Sequence, residues 1–295
     1  MTIYKVTCVL DQFEDEVLYD KLFEIGAISI DISDYKNDST LDNNNVILSE
    51  ISEKWENNRL EILFNCQSQN NFELILEKLK KIDNFNLKIE NTSKVNEEDW
   101  VKRSKDSFKK IQFTNALEVY PSWEKMDKSF RYNIQIDPGQ AFGTGSHQTT
   151  KLCIEWLLQN EKKKFSNVID YGCGSGLLAI IAKTLYKTKV LGVDIDSKAI
   201  DVATKNSIAN NLDIKFSHVD KVKYETYDLI IANILLNVLT TLKPIFLKIL
   251  KKQGVIIFTG ILENQVKTLI EEYEESFQKV KVFRKDNWAL VEMCF

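Results

Sequence analysis

The sequence predicts an α/β protein with two domains, a small α+β ferredoxin-like domain followed by a larger Rossmann-like domain with a mostly parallel sheet. Three observations lead to this fold class. The length of 295 residues favours two domains. The first ninety residues have a β-α-β-β-α-β order. Beyond Arg131, strands alternate with helices, which is typical of a parallel sheet covered on both faces.

The composition favours a cytoplasmic protein without a metal site. Hydrophobic residues make up 44% and charged residues 28% of the chain, and no apolar run approaches the eighteen or so residues of a membrane span. The N-terminus is too acidic for a secretory signal. Five scattered cysteines indicate reduced thiols, and two histidines without a CxxC pair argue against a histidine or thiolate metal site.

The charge is distributed unevenly along the chain. Residues 1–90 contain nine Lys and Arg against eighteen Asp and Glu, a net charge of −9, whereas the whole chain carries −4 and the remainder therefore +5. Most charge runs are solvated surface. An acidic domain could also dock a basic partner, and it would repel bare DNA or RNA. No direct DNA binding and no membrane association are expected.

The elements of the front domain, residues 1–92, follow from hydrophobic periodicity. Apolar residues at helical spacing, followed by Gly26, predict a helix after the first strand. Its buried face would contain Phe13, Val17, Leu18, Leu22 and Phe23. In chain order, the segments are the strand "TIYKVTCVL", the helix "QFEDEVLYDKLFEIG", the strands "AISIDIS" and "RLEILFNC", the helix "NFELILEKLKKI" and the strand "FNLKIEN".

A connector over residues 93–130 contains a predicted helix, "NEEDWVKRSKDSFKK", and a strand, "ALEVYPSW", that Pro121 ends. Residues 131–295 form the second domain. Its predicted strand–helix pairs are "NVIDYG" with "GLLAIIAKTLY", "KVLGVDI" with "SKAIDVATKNSIANN", "YDLIIANIL" with "VLTTLKPIFLKIL", and "GVIIFTGIL" with "NQVKTLIEEYEESF", before two final strands, "KVKVFRK" and "WALVEMCF".

The stretch "VIDYGCGSGLLAI" places three glycines at alternate positions after a strand that ends in Asp170. Such a turn lets backbone N–H groups approach a ligand. The looser dinucleotide pattern fits as Gly174, Gly176 and Ala179, with Asp194 twenty residues beyond the first glycine. A nicotinamide-dependent oxidoreductase therefore stays open on spacing alone.

Asp170 favours a different ligand. A carboxylate close to a pyrophosphate would be repelled by about 4 kcal/mol at 4 Å and an effective dielectric of 20. S-adenosylmethionine has no phosphate, and its ammonium needs acceptors such as Asp170 or the carbonyls near Gly172. The D-x-G-x-G-x-G pattern, which includes Gly174, therefore suits the methyl donor better.

Two further strand ends carry polar side chains. Asp194 closes "VLGVD", where its carboxylate can accept hydrogen bonds from both ribose hydroxyls. Asp196 is predicted to belong to the N-cap of the next helix. Asn233 ends the apolar strand "LIIAN", and its amide oxygen could accept a hydrogen bond from an amine at the reacting centre. A turn-forming asparagine is the simpler alternative.

A second glycine-rich segment, "DPGQAFGTGSHQTT", precedes the first strand of the second domain. It could fold over the donor, with Phe142 as a packing residue and Thr150 as a hydrogen-bonding residue. His147 could be taken for a general base, but it is better explained as a residue that shapes this loop or the start of the following helix.

Together these motifs resemble the bacterial methyltransferases of large-subunit ribosomal protein eleven, the PrmA family. The resemblance rests on "IDPGQAFGTGSHQTT", "VIDYGCGSGLLAI", "LGVDIDSKAI" and "LIIANILLNVL", and extends to the front half through "EEDWVKRSKDSF" and "YPSW". It implies a seven-stranded class I methyltransferase domain at residues 131–295 and S-adenosyl-L-methionine as the donor. The implied reaction is N-methylation of lysine side chains, of the N-terminal amine, or of both, in that ribosomal protein.

The resemblance also implies roles for individual residues. Thr150, Gly172, Asp194 and Asn233 match family positions that contact the donor, and the front domain matches the one that docks the ribosomal protein. Gln148 stands where the family often has Pro, and Leu236 where it often has Ala; neither change removes a group that the chemistry needs. We predict Asn233 as the catalytic residue. The predicted donor-binding set is Phe142, Thr150, Asp170, Gly172, Gly174, Asp194 and Asn233.

Three alternatives remain at this point. The first is a related protein-lysine methyltransferase with another substrate, and the second is an NAD-dependent oxidoreductase, which Asp170 disfavours. The third is a non-catalytic module that keeps the donor pocket, which the presence of both Asp194 and Asn233 disfavours.

Overall fold

The computed structural model describes residues 2–10, 18, 21–22, 25–34, 58–66, 68–82, 87–95, 109–137 and 147–295. The chain divides into two compact units, Met1–Ser107 and Phe108–Phe295. No helix within the described residues is long and apolar enough to cross a membrane. The domain boundaries at residues 92 and 130 stay predictions.

The first unit contains a four-stranded antiparallel sheet with the order β2-β3-β1-β4. Residues 18, 21 and 22 are helical and lie between β1 and β2 along the chain. This sheet order and the element order agree with the predicted ferredoxin-like domain. The bounds are β1 Thr2–Leu10, β2 Ala27–Asp34, β3 Asn58–Cys66, α1 Gln69–Lys80 and β4 Lys88–Val95.

Apolar side chains from the sheet and from α1 form the core of this unit, among them Val6, Ile62, Phe64 and Phe72. Leu18 and Leu22, predicted on the buried face of the first helix, are fully buried. The other three residues of that predicted face lie outside the described residues, as does nearly all of the predicted connector helix.

The second unit is built on a seven-stranded sheet with the order β10-β9-β8-β11-β12-β14-β13. Neighbours from β10 to β12 are parallel, and β14 runs antiparallel to β12 and β13. This is the predicted seven-stranded Rossmann-like domain. The strands are β8 Asn167–Tyr171, β9 Lys189–Asp194, β10 Lys215–His218, β11 Tyr227–Asn233, β12 Leu250–Leu262, β13 Lys279–Lys285 and β14 Trp288–Cys294.

Six helices of the second unit cover the two faces of this sheet in the described residues. They are α2 Gln148–Gln159, α3 Leu177–Tyr186, α4 Ser197–Ala209, α5 Leu236–Thr241, α6 Lys243–Ile249 and α7 Val266–Tyr273. Strand side chains alternate between two cores: Val168 and Ile231 pack with α2 and α3, whereas Ile169 and Ile230 pack with α5, α6 and α7. The same alternation turns Asp170 toward the α2 and α3 layer.

A separate three-stranded sheet precedes α2, formed by β5 Ile111–Phe113, β6 Leu117–Tyr120 and β7 Tyr132–Gln135 in that order. As predicted, β6 ends immediately before Pro121. One edge of β7 pairs in parallel with β6. Leu117 and Val119 of β6 and Ile134 of β7 belong to the same hydrophobic core as α2 and α3.

Two features differ from the sequence prediction. The segment "VLTTLKPIFLKIL" forms two short helices that meet at Leu242, because Pro244 lacks the N–H that would continue the first helix. Strand β10 was not located from the sequence. It has only four residues, "KFSH", and an edge strand this short and polar carries little hydrophobic signal.

Candidate functional site

The site is formed where three neighbouring parallel strands end. In the order β9-β8-β11, these strands finish at Asp194, Tyr171 and Asn233. Parallel strands carry their carboxyl ends to the same edge of the sheet, so the predicted site residues converge there. This edge is also where ligands bind in open α/β sheets.

The glycine turn, residues 172–176, joins β8 to α3. Its three glycines have positive φ angles: +78° at Gly172, +51° at Gly174 and +82° at Gly176. Residues other than glycine rarely adopt this backbone conformation. A Cβ at Gly172 would also lie only 2.5 Å from Ile234 Cγ2. The alternate glycines are therefore required by the backbone, and they bring main-chain atoms to the strand ends.

Asp194 ties this turn to β9. Its Oδ2 accepts a hydrogen bond from the Gly174 amide at 2.9 Å, and its Oδ1 accepts one from the Asp196 amide at 3.0 Å. Each carboxylate oxygen can accept a second hydrogen bond, so the group still has room for two hydroxyls. Asp196 caps α4 by accepting from the Lys198 amide at 2.9 Å, which confirms its predicted place at the helix N-terminus.

Asp170 is buried beneath the start of α3, with 1% of its surface exposed. Its Oδ2 accepts a hydrogen bond from the Ala179 amide at 2.9 Å. Within the described residues, its Oδ1 is buried without a hydrogen-bond partner. Burial, reinforced by the negative charge of Asp194, raises the pKa of Asp170 to about 7, although the Ala179 hydrogen bond opposes this shift.

This arrangement bears on the choice between ligands. A pyrophosphate at a helix N-terminus needs the first N–H groups of the helix and the positive end of its dipole. Here the Ala179 amide, in the first turn of α3, already donates its hydrogen bond to the Asp170 carboxylate. The remaining oxygen of Asp170 is an acceptor, which fits an ammonium group and not a phosphate.

We expect Asp170 to make stability depend on pH. Its folded-state pKa of about 7 exceeds the ordinary value of 3.8, so protonation of this carboxyl stabilises the folded protein. This contribution to the free energy of unfolding is fully present below pH 3.8 and is lost as pH rises through 7. The loss is on the order of 4 kcal/mol at most. Asp170→Asn keeps an oxygen for Ala179 and cannot ionise. Without ligand, the variant should melt higher than the unaltered protein at pH 8, and the difference should be much smaller at pH 5, where only about a third of this contribution has been lost.

The matched control is Asp196→Asn, which alters an exposed carboxylate only 26 residues away in sequence. Its melting temperature should differ from that of the unaltered protein by the same amount at both pH values. An Asp170→Asn variant with the same shift at pH 5 and pH 8 would contradict the assignment of a raised pKa to this carboxyl.

Asn233 and Thr150 are in contact. The Asn233 amide nitrogen donates to Thr150 Oγ1 at 3.3 Å, across 83 residues of sequence. Thr150 lies in the first turn of α2 and is almost fully buried. Because the amide nitrogen faces Thr150, the amide oxygen is the atom left to accept from another group. The structure thus places Thr150 as the partner that orients Asn233; a contact of Thr150 with the donor stays a prediction.

His147 forms the N-cap of α2. Its Nδ1 accepts from the Thr149 amide at 3.3 Å, and its ring packs edge-on against Trp288. Burial, together with the positive charge of Lys151, lowers the pKa of His147 to about 4. The cap hydrogen bond confirms the expected place of His147 at the helix start. Phe142 and the rest of residues 138–146 lie outside the described residues.

Comparisons with known proteins identify the family of this chain. The profile of the family described as "Ribosomal protein L11 methyltransferase (PrmA)" matches residues 2–294. The chain belongs to this ribosomal protein L11 methyltransferase family. A relative with that name from Methylobacillus flagellatus is 35% identical over 280 residues, which cover 94% of this chain and 93% of the relative. Another, from Hydrogenovibrio crunogenus, is 40% identical and covers 68% of each chain.

A solved structure gives the same result. The crystal structure of ribosomal protein L11 methylase from Lactobacillus delbrueckii subsp. bulgaricus superposes with a TM-score of 0.58 at 33% identity, and covers 63% of this chain and 98% of that one. Membership in the family confirms the resemblance drawn from the motifs. It identifies the chain as a methyltransferase whose donor is S-adenosylmethionine, and so decides against the oxidoreductase.

Two residues near the strand ends were not selected from the sequence. Ile195 follows Asp194 and is 76% exposed, so it presents apolar surface beside the predicted ribose acceptor. Asn206 is 3% exposed and bonds to the glycine turn. For Ile195, the sequence signal was an apolar residue directly after the acidic residue that ends a strand. For Asn206, the only sequence signal was a polar residue at a buried helix position, and the sequence alone does not show its hydrogen-bond partners.

Proposed function

We propose that this protein transfers methyl groups from S-adenosylmethionine to amines of ribosomal protein L11, on lysine side chains, on the N-terminal amine, or on both. The observation that carries the proposal is the glycine turn that Asp194 holds, preceded by Asp170 and followed at the next strand end by Asn233, in a chain of this family. The alternative of another protein substrate for the same chemistry is weaker, because the family profile covers the front unit as well.

The residues present fit the donor. S-adenosylmethionine supplies a methyl carbon on a sulfonium, which a neutral amine attacks in line as the carbon–sulfur bond breaks. Asp194 accepts from the ribose hydroxyls, and Ile195 offers apolar surface to the base. The buried Oδ1 of Asp170 and carbonyls at the glycine turn are acceptors for the ammonium.

The protein must also present the amine in its neutral form. A lysine with a pKa of about 10.4 requires about 4.6 kcal/mol to deprotonate at pH 7. Desolvation near a cation lowers that requirement. Asn233 supports this step because its oxygen accepts from the amine without a negative charge that would favour the ammonium. The remaining contribution is alignment, for which no acid–base relay is needed.

Docking of the ribosomal protein by the acidic front domain, residues 1–92, is part of the proposal. The net charge of −9 over residues 1–90 suits a basic partner such as a ribosomal protein. A substrate of this kind also places the reaction in the cytoplasm.

The direct test incubates purified ribosomal protein L11, S-adenosylmethionine and this protein, followed by mass spectrometry of L11 peptides. Methyl-sized mass increases on lysines or on the N-terminal residue are expected, and other ribosomal proteins in the same mixture should stay unmodified. Methylation of a different ribosomal protein in preference to L11 would favour the alternative substrate.

We expect the front domain to contribute to capture of L11 but not to donor binding. A chain that begins at residue 108, where the second compact unit starts, should bind S-adenosylhomocysteine with unchanged affinity and lose most methylation of intact L11. Raised salt should weaken L11 capture by the full chain, because the attraction is screened over about 8–10 Å near physiological ionic strength. Full-rate methylation by the folded truncated chain would refute the docking role.

A further inference from the structure

Helix α4 presents three residues on one face: Ala203, Asn206 and Asn210, at positions i, i+3 and i+7. Ala203 and Asn206 are buried, and Asn210 immediately follows the helix as its C-cap. This face meets two segments that are distant in sequence, the glycine turn and the chain at the end of β7.

The two asparagines pair with the main chain as a β-strand would. Asn210 accepts from the Gln135 amide at 2.9 Å and donates to the Gln135 carbonyl at 2.7 Å. Asn206 accepts from the Asp137 amide at 3.0 Å and donates to the Asp137 carbonyl at 3.1 Å. Four helical residues advance about 6 Å and two strand residues about 6.6 Å, so the spacings match. The side chains thus cover the edge of β7 that β6 leaves open.

Asn206 makes one bond that Asn210 does not. Its Nδ2 also donates to the Ser175 carbonyl at 2.9 Å, in the middle of the glycine turn. The neighbouring Gly176 packs on the same helix face, where an added Cβ would lie 2.9 Å from Ala203 Cβ. The other neighbour, Gly174, is the residue held by Asp194. The turn is therefore fixed on one side by a carboxylate and on the other by α4.

We propose that Asn206 is a positioning residue of the methyl-donor site: by joining Ser175 to Asp137, it sets the conformation in which the glycine turn receives the donor. The inference rests on the proposed function, since it concerns the site that would hold S-adenosylmethionine. A purely structural asparagine would make no bond to the glycine turn. Asn210 is such a residue, because its side chain bonds to Gln135 and to the Asn206 carbonyl of its own helix, and that difference makes Asn210 the matched control.

The test compares Asn206→Ala and Asn210→Ala in the full chain, with S-adenosylhomocysteine binding measured by calorimetry. We expect Asn206→Ala to weaken binding at least tenfold and Asn210→Ala by no more than about twofold. In steady-state kinetics, Asn206→Ala should raise the donor KM, with kcat at saturating donor within about threefold of the unaltered value. Equal affinity of Asn206→Ala and the unaltered protein, or equal losses in both variants, would overturn the inference.

A second measurement needs no variant and so does not depend on Asn206→Ala folding. Coupling between two sites is reciprocal. Saturating S-adenosylhomocysteine should therefore slow hydrogen exchange of the Asp137 amide, which donates to Asn206, more than exchange of the Gln135 amide, which donates to Asn210. An Asp137 exchange rate that S-adenosylhomocysteine leaves unchanged would overturn the inference. If the ligand fails to bind the unaltered protein at all, the proposed function itself is refuted, and the inference with it.

Discussion

Asn233→Ala is expected to slow methyl transfer by about 10²–10³-fold, or about 3–4 kcal/mol of activation free energy, while the protein stays folded. The amide nitrogen of Asn233 donates to Thr150, so its oxygen faces away from that partner, and we propose that this oxygen accepts from the incoming amine. Alanine removes the acceptor and leaves the strand intact. Single-turnover kinetics with saturating donor measure this step, and donor affinity should fall less than the transfer rate.

The chain provides a control a few residues further on. Asn237 is an exposed asparagine in α5, and its Oδ1 accepts from the Val238 amide within its own helix. Asn237→Ala should transfer methyl groups at nearly the unaltered rate. If Asn233→Ala does the same, Asn233 only shapes the turn after β11, and other groups must position the amine.

Asn233→Asp separates the role of the oxygen from that of the charge. The carboxylate can accept from the amine, but its negative charge favours the unreactive ammonium and so raises the amine pKa. The pH–rate profile of this variant should therefore shift to higher pH, whereas Asn233→Ala should keep the profile and lose amplitude. Identical profiles for the two variants would argue against a direct contact with the amine.

Asp194→Ala is expected to weaken donor binding by about 2–4 kcal/mol, roughly 30- to 1,000-fold, because the two charge-assisted hydrogen bonds that we propose to the ribose would be lost. The structure adds a second contribution. The same carboxylate accepts from the Gly174 and Asp196 amides, so its removal also releases the glycine turn. Calorimetry with S-adenosylhomocysteine measures the combined loss.

A ligand comparison separates the two contributions of Asp194. An S-adenosylhomocysteine analogue without the two ribose hydroxyls should bind the unaltered protein far more weakly than the parent compound. Asp194→Ala should bind the two compounds with nearly equal affinity. Asp196→Ala, which removes the cap of α4 but neither ribose acceptor, should still discriminate between them. Full discrimination by Asp194→Ala would place the hydroxyls on other residues.

The helices and most strands of the second unit could be predicted because the spacing of apolar residues along the sequence shows which of their faces are buried. Central strands were located from apolar runs such as "LIIAN", since a strand covered on both faces is almost wholly apolar. The edge strand β13, "KVKVFRK", is half polar, but its seven residues are long enough to show lysine alternating with valine. Strand β10 could not be located because its four residues, "KFSH", are too few and too polar to show a strand pattern. The break at Pro244 follows from a local rule, but tertiary packing decided that both halves stay helical.

The sequence by itself determined the family, the fold class and the residue types at the strand ends, because motif spacing and strand order are linear properties of a chain. Only the tertiary structure decided which atoms of these residues are already engaged. In the folded chain, the Asp170 side chain is buried, Asp194 accepts from two backbone amides, and Thr150 orients Asn233. It also brought Asn206 to Ser175 and Asp137, across 31 and 69 residues. Such contacts depend on how a helix face meets a turn and a strand edge in space, and no local pattern in the sequence encodes that meeting.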